Sequence, residues 1–528
     1  MYEVRKLKTG KIWNLERDLF SALVYVPDND VPGDAINLGM DTPYLIVMPE
    51  SKLDDEGAAA FAENSGLAAI AAKTGGSVVF VTPNNEGGWQ TADAELFKDL
   101  IAQSKIGAVY KDGVLIDIDR FHQRPTSYYI RGAVFKTFLY GFGASADYIA
   151  RNLLTKVEGQ YLWGPGEITP AAVSLENLTV IPKPDRRDIP VVSVGNSEEI
   201  NAALHESCDH ICVIDEADYE MTYSEFMWKY KRWCGELNED PDYEALGMVN
   251  EYGYEVVKTT PDNYGEFEGT EEHKVGYMVW YNKGLLDKGP VPTLIASHGG
   301  GDSALYIAKV SGWWEIAHKY NFLLIAVENH TSVTASETME MIDKIKAKYN
   351  IDENRLYASG FSMGGCKSWD FCQEFPERFA ALAPMDATFE VGLNVFGKAA
   401  PRTNTEISVP IFYAGGAITP LPELPFQADK CTDRIRYVFE LNKAKTPYNV
   451  KFEERENWVD PIWGIAGDRI EEFRDESRDA VLTVNYFASE DGVERIALGS
   501  VDNQGHECRR HTCEQAWLFM SKFSLDNR

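Results

Sequence analysis

Gly360-Phe361-Ser362-Met363-Gly364-Gly365 is the stretch that decides the fold of this chain. Residues 355–359 before it have the apolar pattern of a buried strand, and residues 365–374 after it have the pattern of a helix. Ser362 therefore stands at a sharp strand-to-helix turn, where small residues on either side let the backbone cross closely. The pattern predicts a nucleophilic serine above a sheet edge, with the start of the next helix directed at a developing oxyanion.

The turn at Ser362, which we call the elbow, has a second copy in the chain. The segment around Gly143 aligns with the segment around Ser362 at an offset of 219 residues, and the segment around Pro190 aligns with that around Pro410 at an offset of 220. Offsets that agree this closely in two separate segments indicate an internal repeat. Further matched segments are 2–6 with 254–258, 43–48 with 292–297, 77–81 with 322–327, and the aromatic-rich helical segments near 224–233 and 514–523.

Buried apolar strands that alternate with helices are typical of a doubly wound α/β fold with a mostly parallel sheet. We therefore predict two tandem domains of this kind, at 1–235 and 254–528, with the catalytic residues in the second. The acidic, poorly periodic stretch 236–253 is predicted to be the linker. A single large α/β protein with unrelated halves is the alternative.

An oxyanion site is indicated upstream of the elbow. His298-Gly299-Gly300-Gly301 directly follows a buried strand, one strand-helix-strand unit before Ser362. Its glycines allow a turn that directs N–H groups into the site. We predict that the N–H groups of Gly300 and Met363 bind the oxyanion and that His298 and Gly299 contact the substrate. An ordinary glycine-rich loop is the alternative.

The general base follows the serine in the chain order of this kind of site. His506 and His511 are the histidines that come after Ser362. His506 lies in the loop between the strand-like residues 495–501 and the last helix, so we predict that it is the base. His511 is closer to the helix and is the second choice.

The acid that orients the base is expected in the loop after the apolar segment 409–414. Glu423 is the first acidic residue of that loop, and a glutamate can hold an imidazole as an aspartate does. We predict Glu423 as the acid, with Asp429 and Asp460 as the other choices. The alternative role for Glu423 is that of a solvated loop residue.

Two tryptophans lie in the loop 457–467. Most aromatic residues of the second half are expected in its core. Trp458 and Trp463 are predicted instead to form a lid that contacts an aromatic or apolar acyl group.

The segment 506–513 is a candidate metal site, because it has two histidines and two cysteines at close spacing. Structural zinc sites usually combine two such groups, and Cys208 and Cys212 lack the partners that would make a second one. Eight cysteines in 528 residues are too few to indicate a disulfide framework. We predict no metal and no cofactor, and assign His506 to the chemistry of the serine.

Composition and charge restrict the kinds of molecule that the chain is expected to bind. The chain has 82 acidic and 51 basic residues and a net charge of −31, which disfavours nucleic acids and anionic membranes as partners. No segment approaches the roughly 18 apolar residues of a membrane helix, and the first residues form no apolar run of signal-peptide length. We therefore expect a cytoplasmic protein that acts on a small molecule.

On these motifs, residues 275–523 resemble the α/β-hydrolase esterases related to polyhydroxybutyrate depolymerases and feruloyl esterases. The resemblance rests on the glycine-rich segment that begins at His298, the elbow, Gly505-His506, and Trp517 in the last helix. It implies hydrolysis of a carboxylic ester, of the feruloyl or hydroxyalkanoate type, through an acyl-serine intermediate and without a cofactor. The chain departs from this pattern in the acid loop, where such families usually carry an aspartate close to the glycine.

The first half resembles the same fold with its chemistry removed. Gly143 stands where the nucleophile is expected, Met48-Pro49-Glu50-Ser51 replaces the glycine-rich segment, and Asp215-Glu216-Ala217-Asp218 stands near the expected histidine. Ser145 lies two residues into the helix and is expected to point elsewhere. We interpret this half as a pseudo-hydrolase domain that shapes the site or supports homo-oligomerisation. A serine peptidase or amidase, and a non-catalytic binding protein, are the rival functions.

Overall fold

The computed structural model describes residues 4–528 apart from 29–42, 75, parts of 103–135, 155–169, 185, 234–235, 240, 266, 301–303, 329–331 and 476–479. The chain forms two compact units, Met1–Tyr161 with Pro165–Pro241, and Leu162–Gly164 with Asp242–Arg528. The main division falls inside the stretch 236–253, which was predicted to be a linker. The last residues of that stretch belong instead to a strand, Met248–Lys258, which pairs along its whole length with its neighbour.

The second unit is built on a ten-stranded sheet. Its strands lie across the sheet in the order Met248–Lys258, Glu272–Asn282, Leu323–Val327, Val291–Ser297, Ile351–Phe361, Ala381–Met385, Ile411–Gly416, Glu494–Val501, Ala480–Ala488 and Arg469–Asp475. The six strands from Leu323–Val327 to Glu494–Val501 are parallel, and antiparallel strands flank them at both edges. The carboxyl ends of the parallel strands therefore meet at one edge, where ligands bind in open α/β sheets.

Both faces of this sheet are buried. Successive side chains of a strand point to opposite faces, so Leu294 and Ala296 belong to one apolar core and Ile295 belongs to the other. This double burial explains why the central strands read as continuous apolar runs in the sequence. The helices described in this unit are Ala304–Val310, Trp313–Tyr320, Ala335–Ile345, Met363–Glu374, Asp429–Leu441 and Arg510–Met520.

The first unit is built on a nine-stranded sheet in the order Arg5–Lys6, Gly10–Glu16, Phe20–Pro27, Ser77–Pro83, Tyr44–Met48, Thr137–Phe142, Ala172–Glu176, Val191–Val194 and Ile211–Ile214. Its described helices are Asp55–Asn64, Leu67–Thr74, Ala94–Ala102, Ala144–Asn152, Glu198–Ser207 and Tyr219–Glu225. Short two-stranded ladders pair Ser104–Lys105 with Ile130–Arg131, Val109–Lys111 with Val114–Ile116, Ile118–Asp119 with Arg124–Pro125, and Tyr230–Trp233 with Glu236–Glu239.

Eight strands have the same order and direction in the two sheets. The series starts with Gly10–Glu16 in the first unit and Met248–Lys258 in the second, and it ends with Ile211–Ile214 and Glu494–Val501. The second sheet continues with two more strands, while Arg5–Lys6 is an additional edge strand of the first. The predicted fold, two tandem α/β-hydrolase-like domains with mostly parallel sheets, is confirmed.

Two details of the predicted repeat are wrong. Residues 254–258 lie in a strand whose counterpart by sheet position is Gly10–Glu16, not the segment 2–6. The segment 224–233 is not one helix, because the helix ends at Glu225 and Tyr230–Trp233 is a strand that pairs antiparallel with Glu236–Glu239. In the described ranges, no helix has both the length and the apolar composition needed to cross a bilayer.

Candidate active site

The elbow has a strained backbone. Ser362 has φ 54° and ψ −118°, a region that residues with a side chain rarely adopt. Its N–H donates to the carbonyl of Met385 at 3.0 Å, which ties the turn to the next strand. The helix begins at Met363, so the backbone N–H of that residue has no partner within the helix. This turn leaves the Ser362 side chain partly exposed beside the positive end of the helix.

The glycines of the elbow are required by close contacts between backbone segments. A Cβ at Gly360 would lie 2.0 Å from the carbonyl oxygen of Gly364. A Cβ at Gly364 would lie 2.1 Å from the carbonyl oxygen of Ser297, the last residue before the glycine-rich segment. The same crossing therefore brings the elbow helix against the segment that was predicted to bind the oxyanion.

Replacing Gly364 with alanine is expected to lower the free energy of unfolding by about 3 kcal/mol or more, because the Ser297 carbonyl cannot rotate away as a side chain would. Chemical denaturation followed by circular dichroism measures this change. Gly57→Ala is the matched control, since Gly57 is also helical and the nearest atoms to a Cβ there belong to side chains, Asp54 at 3.0 Å and Leu53 at 3.8 Å. An effect of Gly364→Ala as small as that of the control would contradict the close crossing.

The glycine-rich segment is held from inside the protein. His298 is 1% exposed, and its Nδ1–H donates to the carbonyl of Gly299 at 2.8 Å. Its Nε2 lies 3.9 Å from Oε2 of Glu328, which is also buried. These contacts hold the imidazole inside the loop, and the substrate contact of His298 stays a prediction. Gly300 is partly exposed at the turn, and Gly301 lies outside the described residues.

His506 lies next to the elbow. It follows the strand Glu494–Val501, is 8% exposed, and its ring centroid is 4.7 Å from that of Phe361, the residue before the nucleophile. Burial lowers the pKa of His506 to about 4, so its imidazole is neutral near pH 7 and can accept a proton. His511, the second choice, lies in the last helix and lines a small cavity with Asp475.

The predicted acid, Glu423, is directed elsewhere. Its carboxylate accepts the N–H of Thr388, and its described hydrogen bonds include none with His506. Burial raises the pKa of Glu423 to about 7. The other two choices have local roles: Asp429 is exposed at the start of a helix, and the Asp460 carboxylate accepts N–H groups within its own turn.

Asp386, which the sequence interpretation missed, has its carboxylate on the histidine loop. Its Oδ2 accepts the N–H of Glu507, the residue after His506, at 3.1 Å, and its Oδ1 accepts the N–H of Gly416 at 2.8 Å. The residue is 1% exposed and has φ 43°. Burial raises the pKa of Asp386 well above its usual range, while the N–H of Gly416 acts in the opposite direction.

Two adjacent glycines make room for this arrangement. A Cβ at Gly415 would lie 2.8 Å from Oδ1 of Asp386, and a Cβ at Gly416 would lie 2.1 Å from the carbonyl oxygen of Gly505. The end of one strand thus packs directly against the aspartate and against the histidine loop. An aspartate that directly follows the strand Ala381–Met385 was the signal that could have indicated this residue.

The two tryptophans of the predicted lid differ. Trp463 is 0% exposed and packs in the main core with Tyr413, and its contact with an acyl group stays a prediction. It is the indole of Trp458 that is partly exposed, with its Nε1–H donating to the carbonyl of Lys451 at 3.1 Å.

The first unit repeats the elbow without a nucleophile. Gly143 has φ 50° and ψ −114°, close to the values at Ser362, and a Cβ there would lie 2.1 Å from Oε1 of Glu50. Ser145 is buried, and its hydroxyl donates to the carbonyl of Met48. By the offset of 219 residues, Ser145 corresponds to Gly364. Its hydroxyl serves to pack the helix against the neighbouring strand.

The positions of the first unit that correspond to Asp386 and His506 also carry different residues. Asn177, with φ 52°, follows Ala172–Glu176 as Asp386 follows its strand, so an amide stands in place of the carboxylate. After the strand Ile211–Ile214, Asp218 caps a helix by accepting the N–H of Met221. An acidic helix start thus occupies the part of the fold that carries His506 in the second unit.

The segment 506–513 makes no metal cluster. Within the described part of the chain, no group of three or more histidine, cysteine, aspartate or glutamate side chains is arranged to hold a metal ion. Its two cysteines instead contact each other, with Sγ atoms 3.4 Å apart.

Comparison with known proteins gives partial similarities. No family model matches the chain. Over 134 residues it is 29% identical to the bifunctional acetylxylan esterase/xylanase of Neocallimastix patriciarum, a match that spans 24% of this chain and 19% of that protein.

Several solved structures are similar to parts of the chain. An acetyl xylan esterase from Aspergillus awamori is 13% identical and matches 51% of this chain and 99% of its own, with a TM-score of 0.32. A ferulic acid esterase from Streptomyces cinnamoneus is 14% identical and matches 34% of this chain and 67% of its own, with a TM-score of 0.27. An S-formylglutathione hydrolase from Staphylococcus aureus is 14% identical, with 36% and 88% covered and a TM-score of 0.27. The α/β-hydrolase-like fold of this chain rests on its own strand order and elbow.

Proposed function

We propose that the second unit is a serine hydrolase that cleaves carboxylic esters through an acyl-serine intermediate at Ser362. The observation that carries the proposal is the strained elbow at Ser362 with the neutral imidazole of His506 beside it. The similarity over 134 residues to a bifunctional acetylxylan esterase/xylanase supports an ester over an amide as the substrate.

In the proposed reaction, Ser362 Oγ attacks the ester carbonyl while His506 takes the hydroxyl proton. The tetrahedral oxyanion is bound by the N–H groups of Met363 and Gly300, which are close to the positive end of the elbow helix. His506 then gives its proton to the leaving alkoxide, which departs as an alcohol. Water attacks the acyl-serine with His506 as base, and the collapse of the second oxyanion releases the carboxylic acid and restores Ser362.

We assign the orienting acid to Asp386 in place of Glu423. The Asp386 carboxylate already accepts an N–H from the residue after His506, whereas the Glu423 carboxylate is bound to Thr388. In its ionised form, this buried carboxylate stabilises the imidazolium that forms in the transition state.

The pH dependence of the reaction follows from His506. Because burial lowers its pKa to about 4, the imidazole stays neutral and competent as a base at lower pH than a solvated histidine. We expect the acid limb of kcat/KM for a nitrophenyl ester to have its midpoint near pH 4. A midpoint near the ordinary value of about 6.5 would contradict a buried base. Tryptophan fluorescence at each pH verifies that the protein is folded.

A fluorophosphonate probe tests the proposed nucleophile. We expect stoichiometric labelling of the full chain and a label on the tryptic peptide 356–367, which contains Ser359 and Ser362. Fragment-ion sequencing of that peptide distinguishes the two serines. A label in the first unit, or no label on the folded protein, would contradict the proposal.

The same preparation decides between ester and amide chemistry. Turnover of a nitrophenyl ester with no turnover of an aminoacyl anilide supports the esterase, and the reverse result supports a peptidase or amidase. A series of acetyl, hydroxybutyryl and feruloyl esters then identifies the acyl group.

We further propose that the first unit is a pseudo-hydrolase domain that supports the second. The arguments are Gly143 at the nucleophile position, Glu50 against it, and Asn177 in place of the acid. Its role is tested by the mass of the full chain in solution and by the labelling rate of Ser362 when Glu50 is replaced by alanine.

A further inference from the structure

Two buried thiols lie beside the proposed base. Cys508 is two residues after His506, and Cys513 is in the first turn of the helix Arg510–Met520. Their Sγ atoms are 3.4 Å apart, and the residues are 5% and 0% exposed. The two sulfurs are close because the chain enters the helix between the two cysteines. The N–H of Cys513 donates to the carbonyl of Arg509, the residue that directly follows Cys508.

We propose that Cys508 and Cys513 form a reversible dithiol–disulfide site, and that its oxidation by a low-molecular-weight disulfide of the glutathione type displaces the His506 loop. The formation of the disulfide does not depend on the activity of the protein. The effect on catalysis rests on the proposed function of Ser362 and His506.

The exchange is balanced with oxidised glutathione as the oxidant. The Cys508 thiol loses a proton, and its thiolate attacks one sulfur of the glutathione disulfide and releases one glutathione thiolate. The Cys513 thiolate then attacks Cys508 Sγ in the mixed disulfide and releases the second glutathione. The protein loses two hydrogens and two electrons, and one oxidised glutathione becomes two reduced molecules.

Other described cysteines have different surroundings. Cys431 Sγ lies 3.3 Å from Thr388 Oγ1, and Cys372 is buried in the main core. A small cavity is lined by Arg509, which follows Cys508, and by Thr512, which precedes Cys513. Each thiol is therefore one residue away from this cavity. The hydrogen bond between the thiols and their burial raise the pKa of Cys508, so the exchange is expected to be slow.

Oxidation is expected to disturb the site geometrically. A disulfide has an S–S distance of about 2.05 Å, so the two sulfurs must approach by more than 1 Å. The neighbouring residue, Glu507, donates its N–H to Asp386 at 3.1 Å, and His506 precedes it. A shift of about 1 Å in a catalytic group can lower the rate on the order of 100-fold. We expect the oxidised enzyme to lose at least about tenfold in kcat.

The experiment uses the full chain, equilibrated in buffers of graded reduced-to-oxidised glutathione ratio and then alkylated. Trypsin cuts after Arg509 and Arg510, which separates Cys508 in peptide 496–509 from Cys513 in peptide 511–522. The reduced protein yields two alkylated peptides, whereas the oxidised protein yields one linked pair. The ester turnover of each sample is measured before and after added dithiothreitol.

We expect the linked pair to rise with the oxidised fraction, kcat to fall in parallel, and dithiothreitol to restore both. Cys513→Ser removes the linked pair and makes turnover insensitive to the buffer, while Cys212→Ser, which alters a thiol of the first unit, retains the response of the natural chain. Absence of the linked pair at the most oxidising ratio overturns the site. A linked pair with unchanged kcat overturns the coupling to His506. Absence of fluorophosphonate labelling in the reduced protein counts against the proposed hydrolase and leaves the linked pair as a separate result.

Discussion

Ser362→Ala is expected to lower kcat for a nitrophenyl ester by about 10⁴- to 10⁶-fold and to abolish fluorophosphonate labelling. Without the hydroxyl no acyl-serine forms, and the remaining rate comes from oxyanion binding and substrate positioning alone. The Ser362 side chain is partly exposed, so the smaller alanine is accepted there without loss of a core contact. The folded state is therefore expected to remain, as measured by circular dichroism and thermal unfolding.

Ser359→Ala is the matched control for this loss. Ser359 is buried in the strand before the elbow and donates a hydrogen bond to the carbonyl of Ala383 at 2.8 Å. Its replacement is expected to cost about 1 kcal/mol of stability while labelling continues. Persistent turnover in Ser362→Ala, or loss of labelling in Ser359→Ala alone, would contradict the assigned nucleophile.

Asp386→Asn is expected to lower kcat by about 10⁴-fold, because the amide cannot stabilise the imidazolium and favours the wrong tautomer of the histidine. Glu423→Gln is expected to lower kcat less than about tenfold, since the Glu423 carboxylate contacts Thr388 and stays outside the described hydrogen bonds of the histidine loop. The pair is well matched, because both residues are buried acids and both changes replace a carboxylate with an amide of similar size.

A control for folding accompanies this comparison. The labelling of Ser362 by fluorophosphonate and the thermal unfolding of both variants are measured together with kcat. These measurements distinguish a variant that is misfolded from one that has lost only the charge of the carboxylate. If Glu423→Gln loses the activity and Asp386→Asn retains it, Glu423 is the acid, as the sequence interpretation had it. Equal losses would indicate that the two carboxylates act through one shared network.

The part of the site near Ser362 was predictable because its requirements are local. A strand, a tight turn and a helix are encoded in consecutive residues, and the two glycines are needed by backbone crossings that any such turn produces. The position of His506 next to the elbow was also predictable, since its place after a late strand follows from chain order. The internal repeat was visible for the same reason, although its first matched segment was placed one strand away from its true counterpart.

The carboxylate that contacts the histidine loop was not predictable in this way. Asp386 and Glu423 each follow a strand of the same sheet, and both are buried near the carboxyl ends of those strands. Which carboxylate faces the histidine loop depends on how the loops after three different strands pack, and on the space left by Gly415 and Gly416. The burial of Trp463 and His298 has the same origin, because a loop residue's exposure depends on what folds over it.

The sequence by itself determined that this chain contains two copies of one α/β fold and that the second copy alone carries a serine at its elbow. These features are repeated patterns of apolar spacing and turn residues, and such patterns act over a few residues. Only the tertiary structure decided that Asp386 reaches the histidine loop, that Glu423 binds Thr388, and that Cys508 and Cys513 meet. Those contacts depend on the packing of loops from separate strands, and side-chain direction at such a junction is set by the assembled sheet.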